Sequence, residues 1–74
     1  MDVEVRLFAT LRQGRFGKKR LALAEGASVR DVVRQLHIAP DEVSILLVNG
    51  QNAPLDRALA PGDVVSLFPA VGGG

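Results

Sequence analysis

Hydrophobic and polar positions alternate from the start of the chain. Across residues 2–9, Val3, Val5, Leu7 and Ala9 fall on one side and Asp2, Glu4 and Arg6 on the other, which is the period of a half-buried strand. A loop containing Gly14 and Gly17 follows, with a short helical turn expected at residues 10–13. Alternation resumes over residues 20–24, so the first two strands read as a hairpin-like pair. Glu25 and Gly26 end it. Ser28 then precedes Val29, Val32, Val33 and Leu36, apolar at helical spacing, and Asp31 stands three residues after the serine as in a capping box. This predicts the main helix. Residues 45–48, Ile-Leu-Leu-Val, form a third strand closed by the turn dipeptide Asn49-Gly50, and the region after it, with Pro54 and Pro61, reads as irregular. Pro61-Gly62-Asp63 makes another turn, and residues 64–68, Val-Val-Ser-Leu-Phe, are the last strand.

The order is therefore β, β, α, β, β. One helix covers only one face of such a sheet, and the other face stays open to solvent or a partner. The expected core is Val3, Val5, Leu7, Leu21, Leu23, Val29, Val32, Val33, Leu36, Val65 and Leu67. By parity Phe8 shares its face with Glu4 and Arg6, and Phe68 shares its face with Val64 and Ser66, both away from the helix. Two phenylalanines on that side fit a partner-binding patch; they equally fit a loop folding over them or a bulge in the strand.

Composition narrows the function classes. With 74 residues the chain is one small domain; 47% hydrophobic and 23% charged residues at a net charge of +1 are those of an ordinary globular protein. No cysteine is present, which excludes a disulfide framework, a thiolate metal site and a cysteine nucleophile. The N-terminal pattern is wrong for a signal peptide and no apolar run has membrane-spanning length, so a cytoplasmic location and no membrane partner are expected. No nucleophile–base constellation stands out, which leaves the chain without catalytic side chains of its own.

Several segments together carry a family resemblance: residues 7–12 (Leu-Phe-Ala-Thr-Leu-Arg), Val48-Asn49-Gly50, residues 59–65 (Leu-Ala-Pro-Gly-Asp-Val-Val) and residues 67–74 (Leu-Phe-Pro-Ala-Val-Gly-Gly-Gly). They resemble the MoaD/ThiS family of sulfur carriers over nearly the whole chain. The resemblance implies an α+β, ubiquitin-like β-grasp fold, a mixed sheet of four to five strands packed on one main helix. Residues 1–69 would form that domain and residues 70–74 a flexible glycine tail. It also implies chemistry at the last carboxylate. An E1-like adenylyltransferase would adenylate Gly74 with ATP, and a sulfur donor enzyme would displace AMP to leave a thiocarboxylate. Gly73 would be the residue a narrow partner channel requires most and Gly72 the spacer, since glycine admits backbone angles closed to other residues. Phe8, Arg12, Phe68, Pro69, Val71 and Gly72 would meet the partner. No bound cofactor is implied, because the ATP belongs to the activating enzyme.

Leu-Phe-Ala-Thr-Leu-Arg and Leu-Phe-Pro point to the molybdopterin branch, in which the large subunit of molybdopterin synthase receives the tail. Ala70 and Gly72 depart from the usual Phe-Pro-Pro-Val-Ser-Gly-Gly ending of that branch, and Val-Gly-Gly-Gly is equally at home in the thiamine-pathway carriers, whose partner would be thiazole synthase. A ubiquitin-like modifier or plain interaction module is the alternative from another class. Five of the nine basic residues, Arg12, Arg15, Lys18, Lys19 and Arg20, lie in one stretch. It could meet an acidic partner surface or a nucleic-acid phosphate, but with a net charge near zero and few aromatic residues it reads rather as a solvated loop and strand edge. His37 reads as a helix-ending surface residue, and Pro40 followed by Asp41-Glu42 as the start of a helical turn.

Overall fold

The computed structural model describes residues 1–70. Its order is strand β1 (Asp2–Leu7), a 3-10 turn at Ala9–Arg12, β2 (Lys18–Ala22), helix α1 (Val29–Gln35), a second 3-10 turn at Pro40–Glu42, β3 (Val43–Val48), β4 (Gln51–Asn52) and β5 (Val64–Pro69). The strands form one mixed sheet in the order β2-β1-β5-β3-β4. β1 and β5 run parallel at its centre, and the other neighbours are antiparallel. This is the ubiquitin-like β-grasp arrangement that the family resemblance implies.

Alternation decides the two faces. Val3, Val5 and Leu7 of β1 and Val65 and Leu67 of β5 are buried against Val29, Val32 and Val33 of α1. The helix is short, and its start is fixed locally. The Asp31 carboxylate accepts hydrogen bonds from the Ser28 N–H at 2.8 Å and the Ser28 hydroxyl at 3.3 Å, satisfying a donor that the first turn leaves free. At the other end His37 takes a φ of 59°, the left-handed conformation that stops a helix.

The structure corrects several expected bounds and core positions; β3 starts two residues earlier than expected, at Val43, and β5 runs one residue further, to Pro69. β1 stops at Leu7 because Ala9, at φ 51°, swings the chain into the 3-10 turn, which leaves Ala9 exposed instead of in the core. β2 begins two residues earlier than the alternation suggested, since its ladder to β1 runs from Lys18 opposite Arg6 to Ala22 opposite Asp2. Leu23 lies past the strand yet stays buried, its N–H donating to the Met1 carbonyl at 2.7 Å. The region after Asn49-Gly50 is not wholly irregular: both turn residues have positive φ, 53° and 82°, as a two-residue hairpin turn demands, and they return the chain as β4. Leu36, expected in the core, is only half-buried at the helix end; Leu11, Ile38, Leu46, Val48 and Leu59 complete the core instead.

The two turns that carry motif residues are joined. Asn49 Nδ2 donates to Asp63 Oδ1 at 2.9 Å, and Asn49 Oδ1 accepts from the Val64 N–H at 2.9 Å. Asp63 Oδ2 in turn accepts from the Ala60 N–H at 2.9 Å. These bonds hold the Asp63 carboxyl below its ordinary value, the Ala60 N–H contributing most and the Asn49 amide next. No helix among the described residues is long and apolar enough to cross a membrane.

Candidate functional site

Phe8 and the end of β5 lie together at one end of the sheet. Parallel pairing sets Leu7 beside Leu67, so the next residue of each chain segment, Phe8 and Phe68, emerges on the same outer face. Their rings stack with centroids 4.2 Å apart and planes 8° from parallel. Each ring shields its neighbour from water, which explains how two phenylalanines stay half-buried on the face opposite the helix. Regular β1 pairing has ended by Phe8, but its φ of −123° and ψ of 152° keep the alternation for one more residue.

Ile45 of β3 pairs with Phe68 and, among the described residues, is the large apolar side chain most open to solvent, at 48% exposure. Phe8, Phe68 and Ile45 thus lie side by side across three adjacent strands. Sequence reasoning missed Ile45, because the run Ile-Leu-Leu-Val is apolar at every position and hides its own parity. The signal lay in the partner strand: once Phe68 faces outward, the residue opposite it does too.

Pro69 ends β5, half-buried and opposite Val43, and Ala70 is exposed beyond it. Both line a cleft of about 390 Å³ with Thr10, Leu11, Gln13, Arg15 and Glu42. The 3-10 turn at Ala9–Arg12 packs beside β5 and forms one wall of that cleft. Arg15 holds this wall to the helix end. Its guanidinium donates to the carbonyls of Leu11 at 3.2 Å, Leu36 at 3.3 Å and His37 at 3.3 Å. Arg12 is exposed, with its guanidinium folded over Gly17 so closely that a Cβ there would come within 2.9 Å of it. The structure therefore brings Phe8, Arg12, Phe68 and Pro69 to one end of the sheet. Val71, Gly72, Gly73 and Gly74 lie outside the described residues.

Comparison with known proteins agrees with this geometry. The ThiS family model matches residues 5–74. The chain belongs to the ThiS family. Its members are ThiS/MoaD-like, ubiquitin-like sulfur carriers. Among solved structures, a putative molybdopterin converting factor subunit 1 from Pyrococcus furiosus is 30% identical with a TM-score of 0.78, over 96% of this chain and 99% of that one. Small archaeal modifier protein 1 from Haloferax volcanii is 29% identical with a TM-score of 0.78, over 95% and 98%. A Helicobacter pylori structure described as a complex of subunits 1 and 2 of molybdopterin-converting factor matches at 26% identity and a TM-score of 0.65, over 100% of each chain. The comparison with curated proteins returned no match.

Proposed function

We propose that this ThiS-family chain carries sulfur for molybdopterin assembly, with the Gly74 carboxylate as its working group. The observation that carries the branch assignment is the full-length likeness to a molybdopterin converting factor subunit 1, supported by the relative whose structure is a complex of subunits 1 and 2. An E1-like adenylyltransferase joins the Gly74 carboxylate to the α-phosphate of ATP and releases pyrophosphate. Sulfur supplied at the oxidation level of sulfide by a donor enzyme attacks the carbonyl carbon, AMP leaves, and a thiocarboxylate remains. When that sulfur is handed to the precursor on the large synthase subunit, water restores the carboxylate.

The body contributes binding and direction rather than catalytic side chains. Phe8, Phe68 and Ile45 offer an apolar seat of aromatic and aliphatic anchors. Pro69, with its fixed φ, stiffens the chain where it leaves the sheet. Arg12 flanks that exit, Val71 gives the tail one side chain to grip, and Gly72 to Gly74 admit close approach of channel walls.

The likeness to small archaeal modifier protein 1 favours a second reading, in which Gly74 is joined to a lysine of another protein. The intact mass of the protein from its native host, beside a variant with one alanine added after Gly74, separates the two. A mass gain equal to exchanging one oxygen for one sulfur, in the wild type only, is the expected result. Isopeptide-linked conjugates without that gain, when adenylating enzyme, ATP and a sulfur source are supplied, would move the modifier reading ahead.

A further inference from the structure

Charge is sorted along the sheet. At the end where β5 stops lie five cationic side chains, Arg12, Arg15, Lys18, Lys19 and Arg34, against two anions, Asp41 and Glu42. At the opposite end five anions, Asp2, Glu25, Asp31, Asp56 and Asp63, meet three cations, Arg20, Arg30 and Arg57, and in mid-strand Arg6 is paired with Glu4. Counting side chains, the tail end is therefore net +3 and the far end net −2, which together give the overall +1.

Three observations place the cations at that end. Lys18 is level with Arg6 in the β1–β2 ladder, and Arg6 is level with Ser66, three residues before Pro69. Arg15 lines the cleft with Pro69 and Ala70, and its bonds to Leu36 and His37 bring the helix end, with Arg34, to the same side. Lys19 is held toward it, its Nζ 5.8 Å from the centroid of the Phe16 ring. Little of this charge is neutralised internally. Among the described residues none of these five makes an ion pair, whereas Arg30 at the far end is paired with Asp56.

We infer that the adenylating enzyme carries an acidic rim around the entrance that takes the tail, and that the charge sorting steers the carrier in tail first. This rests on the sulfur-carrier reading above. The two tips of the sheet are one strand apart, about 20 Å at about 3.3 Å per residue, or about two screening lengths at 0.1 M salt. A partner approaching the tail therefore feels the +3 collar more strongly than the charges at the far tip. Complementary fields of this kind raise association rates and fix orientation more than they raise final affinity. The near-neutral total conceals the effect.

The test is ATP-dependent pyrophosphate release by the host's adenylating enzyme, followed at limiting and at saturating carrier. Wild-type kcat/KM falls as salt is raised from about 0.05 to about 0.5 M, with kcat little changed. Arg12→Glu with Lys18→Glu lowers kcat/KM at low salt by about tenfold or more, and Arg12→Gln with Lys18→Gln gives an intermediate loss. Arg30→Glu with Arg57→Glu, which has the same net charge as the first variant, stays within about twofold of wild type because it leaves the collar intact. Equal losses in the two charge-reversed variants, or release indifferent to salt, overturn the inference while the carrier reading stands. No release from wild type defeats the carrier reading and the inference with it. A single-stranded oligoribonucleotide bound at 0.15 M salt by wild type and by Arg30→Glu with Arg57→Glu, but not by Arg12→Glu with Lys18→Glu, reassigns the collar to nucleic acid.

Discussion

Replacing Asn49 separates two contributions that one side chain combines. Asn49 occupies the left-handed region at φ 53° and clasps both Asp63 and the Val64 N–H at 2.9 Å. Asn49→Gly keeps the turn conformation but removes both bonds. The bond to the backbone N–H contributes about 1 kcal/mol, and the one to the carboxylate about the same after discounting for its exposure. Asn49→Ala removes the same bonds and also places a Cβ where it is disfavoured by about 1 kcal/mol. The expected losses are about 2 kcal/mol for glycine and about 3 kcal/mol for alanine. For a domain of this size 1 kcal/mol moves Tm by about 4–8 °C, so thermal unfolding followed by far-UV circular dichroism resolves the two variants readily. A clasp worth this much is a large share of the roughly 4–11 kcal/mol that such a domain possesses. If Asn49→Ala and Asn49→Gly melt together, the backbone contribution is absent. If both lie within about 0.5 kcal/mol of wild type, the clasp does not hold the two turns and the reasoning fails.

Acid should loosen the same clasp. The Asp63 pKa is lowered by folding, so its contribution is complete above the ordinary carboxylate range and is lost as pH falls through the lowered value; Asp63→Asn, measured by denaturant unfolding from neutral pH downward, should be less stable at pH 7 and show a flatter acid limb. Phe8→Ala and Phe68→Ala should each destabilise modestly, and the double-mutant cycle should return a coupling of about 0.5–1.5 kcal/mol for the stacked pair; a coupling near zero would mean that the rings do not stack in solution. Ile45→Asp should change Tm by no more than a few degrees because the side chain is already open to solvent, yet weaken binding of the large synthase subunit in titration calorimetry by at least about tenfold. Val65→Ala, at a fully buried position of the central strand, should cost about 2–3 kcal/mol in chemical unfolding, and a much smaller cost would show that the core there can collapse around the missing methyl groups.

The residues differ in how plainly the sequence announces them. Strands with one wet face declare themselves by alternation, so the inward set of β1 and β5 and the outward Phe8 and Phe68 were legible. So was the helix start, because Ser28 and Asp31 act within one turn. Boundaries set by distant partners were not. Lys18 belongs to β2 because Arg6 stands opposite it, and nothing in Lys-Lys-Arg says so. Leu11, Ile38 and Leu59 are buried from turns and loops that have no periodicity to read. The motifs that resemble the family proved to be of two kinds. Leu-Phe-Ala-Thr-Leu-Arg and Leu-Phe-Pro meet at the tail exit, whereas Val-Asn-Gly and Pro-Gly-Asp meet at the opposite end as a structural clasp. The charge sorting was invisible in the total of +1 and in the linear order alike, since it depends on which strand ends share a side.

The strand that leads into the tail is bonded on both sides, parallel to β1 and antiparallel to β3. A pull on the tail is therefore spread over two ladders at once and acts along the strands, so several hydrogen bonds must slip together before anything yields. Were the same segment an edge strand, the bonds would break in succession from the loose end, as a zipper opens. The body can thus serve as a mechanical anchor: a force applied beyond Pro69 draws on two ladders together without unravelling the domain behind it.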